Sequence, residues 1–184
     1  RIKKNTIVKK LLKHKNDQNT FYLTITVTLG CNFGCNYCCQ GTEKDFSSIN
    51  EESIKKIIKL YQFSNAKDID LVWYGGEPLL NINKIIKANE EIKKIVKGKL
   101  SSSLLTNGFL LSKNVVKKLV SANITQIQIS IDGTKRDHDM SRFLKNKMPR
   151  IRIKPFSIII NIVAIINIGD NNIRNNMFKY IIPI

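Results

Sequence analysis

Three cysteines stand at Cys31, Cys35 and Cys38 in CNFGCNYC, directly after the apolar run FYLTITVTLG. Thiolate is a soft ligand that binds iron-sulfur clusters well, and three thiols within eight residues of one loop can wrap one small inorganic core. A four-iron cluster takes four ligands, so a trio leaves one iron open to an outside group and therefore to chemistry. Zinc is the competing reading. Structural zinc sites take four ligands, typically as two CxxC-like pairs, and only Cys35 and Cys38 form such a pair. Neither His14 nor His138 lies at the spacing a Cys/His zinc site uses, and the clustered thiols do not suit a disulfide network. Cys39 directly follows Cys38 and is expected to turn away from the cluster as a buried small hydrophobe.

Further along, polar and glycine residues recur behind short apolar runs. LVWY reads as a buried strand, and Gly75 and Gly76 after it adopt backbone angles other residues avoid, so a ligand can approach the main chain closely. Glu77 offers a carboxylate and Pro78 stiffens the exit, which suits a loop holding a cation such as an amino group. An ordinary strand-to-helix turn uses the same residues. LLTNG at Leu104 to Gly108 and ISIDG at Ile129 to Gly133 repeat the pattern. Thr106, Asn107, Ser130 and Asp132 thereby fall at strand C-terminal ends, where α/β proteins build ligand sites, although Asn-Gly and Asp-Gly are also plain turn dipeptides. His138 in HDMSR reads as a hydrogen-bonding residue of a polar loop, and no role is assigned to Asp139.

The elements that must position these residues alternate between strand and helix. Strands are expected over Phe21 to Leu29, Ile69 to Tyr74, Leu100 to Thr106 and Ile124 to Ile131, and helices over Asn50 to Phe63, Ile82 to Val96 and Lys113 to Val120. Asn50 and Ser112 are the expected caps. Ile54, Ile57, Ile58 and Tyr61 recur at helical spacing, as do Ile85, Ile86, Ile92 and Ile95, and these stripes read as core. NIGDNN near Asn167 reads as the end of a fifth strand, within the isoleucine-rich Phe156 to Ile168. The alternation predicts an α/β fold with a parallel sheet and the site at its C-terminal edge.

CNFGCNYC with Tyr37 before its last cysteine, then WYGGEP, LLTNG, ISIDG and HDMSR in that order, resembles the radical S-adenosylmethionine (SAM) superfamily. The order is similar to its peptide- and protein-modifying subgroup, which includes anaerobic sulfatase-maturing enzymes and maturases of ribosomally made peptides. The resemblance covers about Tyr22 to Arg142 and implies a partial (β/α)6 barrel. It implies a [4Fe-4S] cluster on Cys31, Cys35 and Cys38, with SAM chelating the open iron. By the same resemblance Gly75, Gly76 and Glu77 contact the SAM amino group, and Ser130 and Asp132 lie near its ribose or methionine part. Arg142 would pair with its carboxylate, and Asn107 and Tyr37 belong to the same site. The planar fork of arginine suits a carboxylate, whereas a solvated charge is the plainer reading of Arg142. The implied activity is reductive cleavage of SAM to a 5′-deoxyadenosyl radical, with a peptide or protein substrate and reduced ferredoxin or flavodoxin as electron donor.

About forty residues follow Lys145, too few for two further strand-helix units of roughly 30 residues each, so the barrel is expected to be incomplete after about Arg142. The start at Arg1 also suggests a fragment, and since every cysteine lies between Cys31 and Cys39, one cluster is the expected maximum. A basic segment over 1–20 precedes a core domain over 21–184; it lacks the continuous apolar stretch of a secretory signal. The 184 residues, 42% hydrophobic, suit one folded domain. The net charge of +17 comes largely from lysines on helix faces, such as Lys55, Lys56, Lys59, Lys93, Lys94 and Lys97. No basic run with interleaved aromatics marks a nucleic-acid groove, and FSIIINIVAIINI falls short of the roughly 20 apolar residues of a membrane span. A cytoplasmic, reducing location is expected for free thiols. Two other readings stay open: a catalytically inactive remnant, and a small electron-transfer iron-sulfur protein.

Overall fold

The computed structural model describes residues 18–41, 44–145 and 161–167, the last of these by backbone path only. Most of the basic amino-terminal segment and the stretch before Asn161 lie outside the described residues.

The chain runs β1 (Thr20–Thr26), α1 (Glu51–Phe63), β2 (Asp68–Tyr74), a 3-10 turn (Pro78–Asn81), α2 (Ile82–Ile95), β3 (Leu100–Thr106), α3 (Lys113–Ser121), β4 (Gln126–Asp132), α4 (Lys135–Ser141) and β5 (Asn161–Asn167). The helices begin where side chains satisfy their first amides. Asn50 accepts from the Ser53 N–H and Ser112 from the Val115 N–H, as the sequence predicts. β1 to β4 each begin within two residues of the expected start. The first ends earlier than expected: beyond Val27, whose N–H still donates to the Tyr74 carbonyl at 2.9 Å, the chain bends out of the ladder into the cysteine loop.

The strands lie side by side in the order β1-β2-β3-β4-β5. β1 to β4 are parallel, in register from Thr20 opposite Asp68 through Thr106 opposite Ile129. Strands that neighbour in sequence also neighbour in space, the arrangement of a singly wound barrel wall, in contrast to a sheet whose order reverses at a switch point.

β5 departs from the expected parallel sheet: it pairs antiparallel to β4, with Asn161 opposite Asp132 and Asn167 opposite Gln126. A parallel partner needs a crossover that carries the chain back along the sheet. Here Asn161 lies opposite Asp132, so the chain enters β5 at the end where it left β4 and runs back along it.

One core joins the sheet to its helices. Ile25, Leu71, Trp73, Leu104, Ile127 and Ile129 from the strands pack against Ile54 and Tyr61 of α1, Ile85 and Ile92 of α2, and Val116 and Leu119 of α3. A polar knot lies inside it. Asn89 of α2 accepts from Trp73 Nε1 at 3.1 Å and from the Ser102 hydroxyl at 2.7 Å, and its Nδ2 donates to the Ala122 carbonyl at 2.6 Å. This one side chain ties α2 to β2, to β3 and to the end of α3.

Candidate radical SAM site

The C-terminal ends of β1 to β4 meet around the cysteine loop, and backbone contacts do most of the joining. Gly76 N–H donates to the Thr28 carbonyl at 2.8 Å and Glu77 N–H to the Gly30 carbonyl at 2.9 Å. Side chains are excluded there: a Cβ on Gly75 would lie 2.3 Å from the Thr28 carbonyl oxygen, and one on Gly76 would lie 2.3 Å from that of Gly30. Gly75 also holds φ +143°, which L side chains rarely adopt. The close approach at these glycines is thus made by the chain's own backbone. On its other side, the loop bonds to the segment after α4 through Gly34 N–H to the Phe143 carbonyl (2.8 Å) and Lys145 N–H to the Asn32 carbonyl (3.0 Å). Phe33, buried between the cysteines, packs edge-on against Phe109 at 5.9 Å.

Within this frame Cys31 is buried, Cys35 and Cys38 are half-buried, and all are free thiols. Cys31 Sγ accepts from the Phe33 N–H at 3.4 Å, and Cys38 Sγ from Lys44 Nζ at 2.9 Å. Burial pushes the Cys31 thiol above its ordinary value and the Cys35 thiol to about 11. Burial also opposes ionisation of Cys38, but hydrogen bonds from Lys44 and the Gln40 backbone, with the nearby charges of Lys44 and Arg142, outweigh it and bring that thiol below its ordinary value. Cys39 corrects the expectation of a buried residue: it is exposed. The Gly41 N–H closes a turn onto the Cys38 carbonyl at 3.0 Å, and Cys39 projects from that turn.

Glu77 is fully buried. Its Oε1 accepts from the Leu79 N–H (3.0 Å) and the Thr106 hydroxyl (2.7 Å), and its Oε2 from the Asn107 N–H (2.9 Å). Desolvation raises its pKa against those three donors. Asn107 turns its Nδ2 to Asn32 Oδ1 at 2.8 Å, with Cys31 Sγ at 3.9 Å, which brings the end of β3 to the cysteine loop.

At the end of β4, Ser130 is half-buried and Asp132 fully buried; two residues apart on one strand, they share a face. Asp132 Oδ2 accepts from the Tyr37 hydroxyl and lies 3.0 Å from Arg142 Nε, an ion pair whose N–H is not aligned for a hydrogen bond. The Arg142 guanidinium also sits 5.5 Å from the centre of the Tyr37 ring. The Arg142 side chain is 13% exposed, so the plainer reading of a solvated charge is corrected. Tyr37 is held above its ordinary phenol value by burial and by the bond to Asp132.

HDMSR is not a loop. Thr134 and Asp137 form a capping box that opens α4, and this helix carries His138 and Asp139. His138 Nδ1 accepts from the Asp132 N–H at 3.3 Å, and burial followed by the Arg142 charge lowers its pKa. Asp139 pairs with Lys135 at 2.7 Å on the exposed side. Asn32, Lys44 and Phe143 to Lys145 were not anticipated. Asn32 lies inside the cysteine motif, Phe143 and Lys145 reach it from far along the chain, and Lys44 turns back six residues to Cys38, so no local periodicity marks any of them.

Residues 25–174 match the radical SAM superfamily. The chain belongs to that superfamily. Among curated relatives, the GTP 3′,8-cyclase of Clostridium acetobutylicum is 36% identical over 126 residues, covering 67% of this chain and 38% of that protein. The radical SAM cyclopropyl synthase TigE of Paramaledivibacter caminithermalis is 33% identical over 107 residues, 56% of this chain and 22% of that protein. The GTP 3′,8-cyclase of Helicobacter pylori is 30% identical over 169 residues, 83% and 49%. This radical SAM chain spans less than half the length of each of these relatives. Among solved structures, native anSMEcpe with bound AdoMet aligns with a TM-score of 0.60 at 23% identity, over 70% of this chain and 36% of that one. The shared feature is the radical SAM fold, here an α/β partial barrel wall of four parallel strands.

The superfamily uses a [4Fe-4S] cluster and SAM, and the residues here fit that pair. Among the described residues no three His, Cys, Asp or Glu side chains gather on one point as a single ion requires, but the thiolates of a cluster bind different irons and need not converge. The stronger sign is a set of buried polar atoms with no hydrogen-bond partner: Asn32 Nδ2, Gln40 Oε1, Asp132 Oδ1 and Arg142 Nε. All belong to the cysteine loop or to the Asp132–Arg142 pair beside it. Buried polar groups are rarely left unsatisfied, and a concentration of them at one place fits a polar ligand.

Proposed function

We propose that this chain is the core of a radical SAM enzyme, with Cys31, Cys35 and Cys38 as ligands of a [4Fe-4S] cluster and SAM bound against the ends of β2, β3 and β4. The buried atoms Asn32 Nδ2 and Asp132 Oδ1, which lack a hydrogen bond beside the cysteine loop, carry the reading, together with Arg142 Nε, whose only contact there is an unaligned ion pair with Asp132. The bound pair supplies one-electron cleavage of SAM to methionine and a 5′-deoxyadenosyl radical. Arg142 presents its guanidinium to the SAM carboxylate, and Ser130 and Asp132 face the ribose or methionine part. By the shared motif Gly75, Gly76 and Glu77 form the side of the site toward the SAM amino group, with Glu77 as the buried brace that fixes this turn through Leu79, Thr106 and Asn107. Asn107 ties that side to the cysteine loop, and the Tyr37 ring walls the site. Reduced ferredoxin or flavodoxin supplies the electron, in a reducing cytoplasm. Among the described residues no helix is long and apolar enough to cross a membrane.

The substrate is a peptide or protein side chain, in keeping with the motif order that the chain shares with peptide-modifying members. A second reading, a purine nucleoside triphosphate, is favoured by the relatives named GTP 3′,8-cyclase and suits a chain of net charge +17. The test is anaerobic reconstitution with iron and sulfide, then SAM and dithionite, with 5′-deoxyadenosine as the readout. Product supports the enzyme. A cluster whose spectrum ignores SAM points to electron transfer, and failure to hold iron points to an inactive remnant. A rise in product turnover on adding GTP, and not on adding peptide, selects the second substrate class.

A further inference from the structure

We infer that Lys44 sets the reduction potential of the cluster, its ammonium group donating a hydrogen bond to the Cys38 sulfur and favouring the reduced state. The inference rests on the cluster reading above. Lys44 Nζ stands 2.9 Å from Cys38 Sγ, whereas the contacts to Cys31 Sγ are an uncharged backbone N–H at 3.4 Å and an amide Nδ2 at 3.9 Å. A full positive charge therefore touches one side of the sulfur trio. The neighbouring carboxylate does not neutralise it: Asp45 turns Oδ1 to the Ser47 N–H at 2.7 Å and Oδ2 to the Ser47 hydroxyl at 2.6 Å. Among the described residues no carboxylate pairs with Lys44 within ion-pair distance.

Hydrogen bonds to cluster sulfurs and net local charge are two of the levers by which a protein moves an iron-sulfur potential. When one electron from an external reductant enters the cluster, no bond forms or breaks and one negative charge is added. An ammonium group held against a ligand sulfur stabilises that added charge, so wild type is easier to reduce than a variant with a neutral side chain. Lys44 is only partly buried, which screens its charge, and the expected effect is about tenfold in the ratio of reduced to oxidised cluster at a fixed potential. Lys44 acts through Cys38 and is a positioning residue.

The test compares reconstituted wild type, Lys44→Met and Lys44→Arg, each assayed for iron and sulfide content. Samples are poised with dithionite and redox mediators, and the one-electron-reduced cluster is counted by electron paramagnetic resonance. The expected result is equal iron in all three proteins, about tenfold less reduced cluster in Lys44→Met at the same potential, and near wild-type behaviour in Lys44→Arg. An unchanged ratio in a fully loaded Lys44→Met overturns the inference and leaves the cluster reading standing. Loss of iron from Lys44→Met alone also overturns it, since the lysine would then hold the cluster rather than tune it. Wild type that binds no iron overturns the cluster reading, and this inference with it.

Discussion

Replacing Asn89 by leucine tests whether the polar knot beneath the site holds the strands that carry it. Asn89, Trp73, Ser102 and Ala122 are all almost wholly buried. The substitution keeps the volume close and removes three hydrogen bonds at once. Trp73 Nε1 retains an acceptor, because the Ser102 oxygen lies 3.2 Å away. The Ala122 carbonyl and the Ser102 O–H are left without their partner. Stranding a buried polar group costs about 1–3 kcal/mol, and extra apolar burial by leucine returns about half of one such loss, so the net loss is about 2–4 kcal/mol. For a chain of this size each kcal/mol moves Tm by about 2–4 °C, giving a fall of roughly 4–16 °C. The assay is urea unfolding of the reduced protein followed by fluorescence. The chain has a single tryptophan, so the signal comes from within the knot. Ser102→Ala is the control: it leaves Trp73 Nε1 and Asn89 Oδ1 bonded to each other and should cost less than about 1 kcal/mol. An Asn89→Leu midpoint equal to wild type at unchanged slope refutes the network, as does a Ser102→Ala loss as large as that of Asn89→Leu.

Gly76→Ala puts a Cβ 2.3 Å from the Gly30 carbonyl oxygen and 2.5 Å from that of Leu29, so it should cost at least about 1–3 kcal/mol and lower iron per chain although every cysteine is intact. Iron analysis and a thermal melt check it, and wild-type values in both would show that the two loops separate without consequence. The double variant Cys35→Ala with Cys38→Ala should lose iron and 5′-deoxyadenosine together, while Cys39→Ala, at the exposed position, should keep both. His138 has a pKa below its ordinary 6.5, so its neutral form contributes stability that is present above that value and is lost as pH falls through the depressed one. Melting curves between about pH 7.5 and about pH 5 should therefore show wild type losing ground to His138→Asn, which accepts a hydrogen bond without titrating; parallel curves would contradict the assignment.

The repeating units were legible because local signals agreed with one another. The isoleucine stripes of α1 and α2 become core through Ile54, Ile85 and Ile92, Asn50 and Ser112 cap as expected, and the polar residues behind each apolar run end at one edge of the sheet. What was missed depended on distance or on competition between signals. Asn89 sits inside a stripe of isoleucines, and nothing local says that its amide meets Trp73, Ser102 and Ala122. α4 was readable in principle, since Thr134 and Asp137 stand at capping-box spacing, but its seven residues, KRDHDMS, are charged and polar and carry no apolar stripe to mark a helix. The direction of β5 had no signal, because an isoleucine-rich run reads the same whether it pairs parallel or antiparallel.

The same contrast explains why glycine, rather than any charged residue, dominates the motifs. The cysteine loop is fixed to β2 by Gly76 N–H on Thr28 and Glu77 N–H on Gly30, and to the segment after α4 by Gly34 N–H on Phe143 and Lys145 N–H on Asn32. Main-chain bonds set the positions of the sulfurs whatever side chains surround them, provided two backbones can touch, and only glycine permits that at Gly75 and Gly76. Side chains then adjust the charge around the trio: Lys44 against Cys38, Arg142 beside Tyr37, Glu77 closed off below by Thr106 and Asn107. Placement and electrostatics are thus carried by different atoms. Substitutions at the glycines should change how much iron the chain holds, and substitutions at Lys44 should change how readily that iron is reduced.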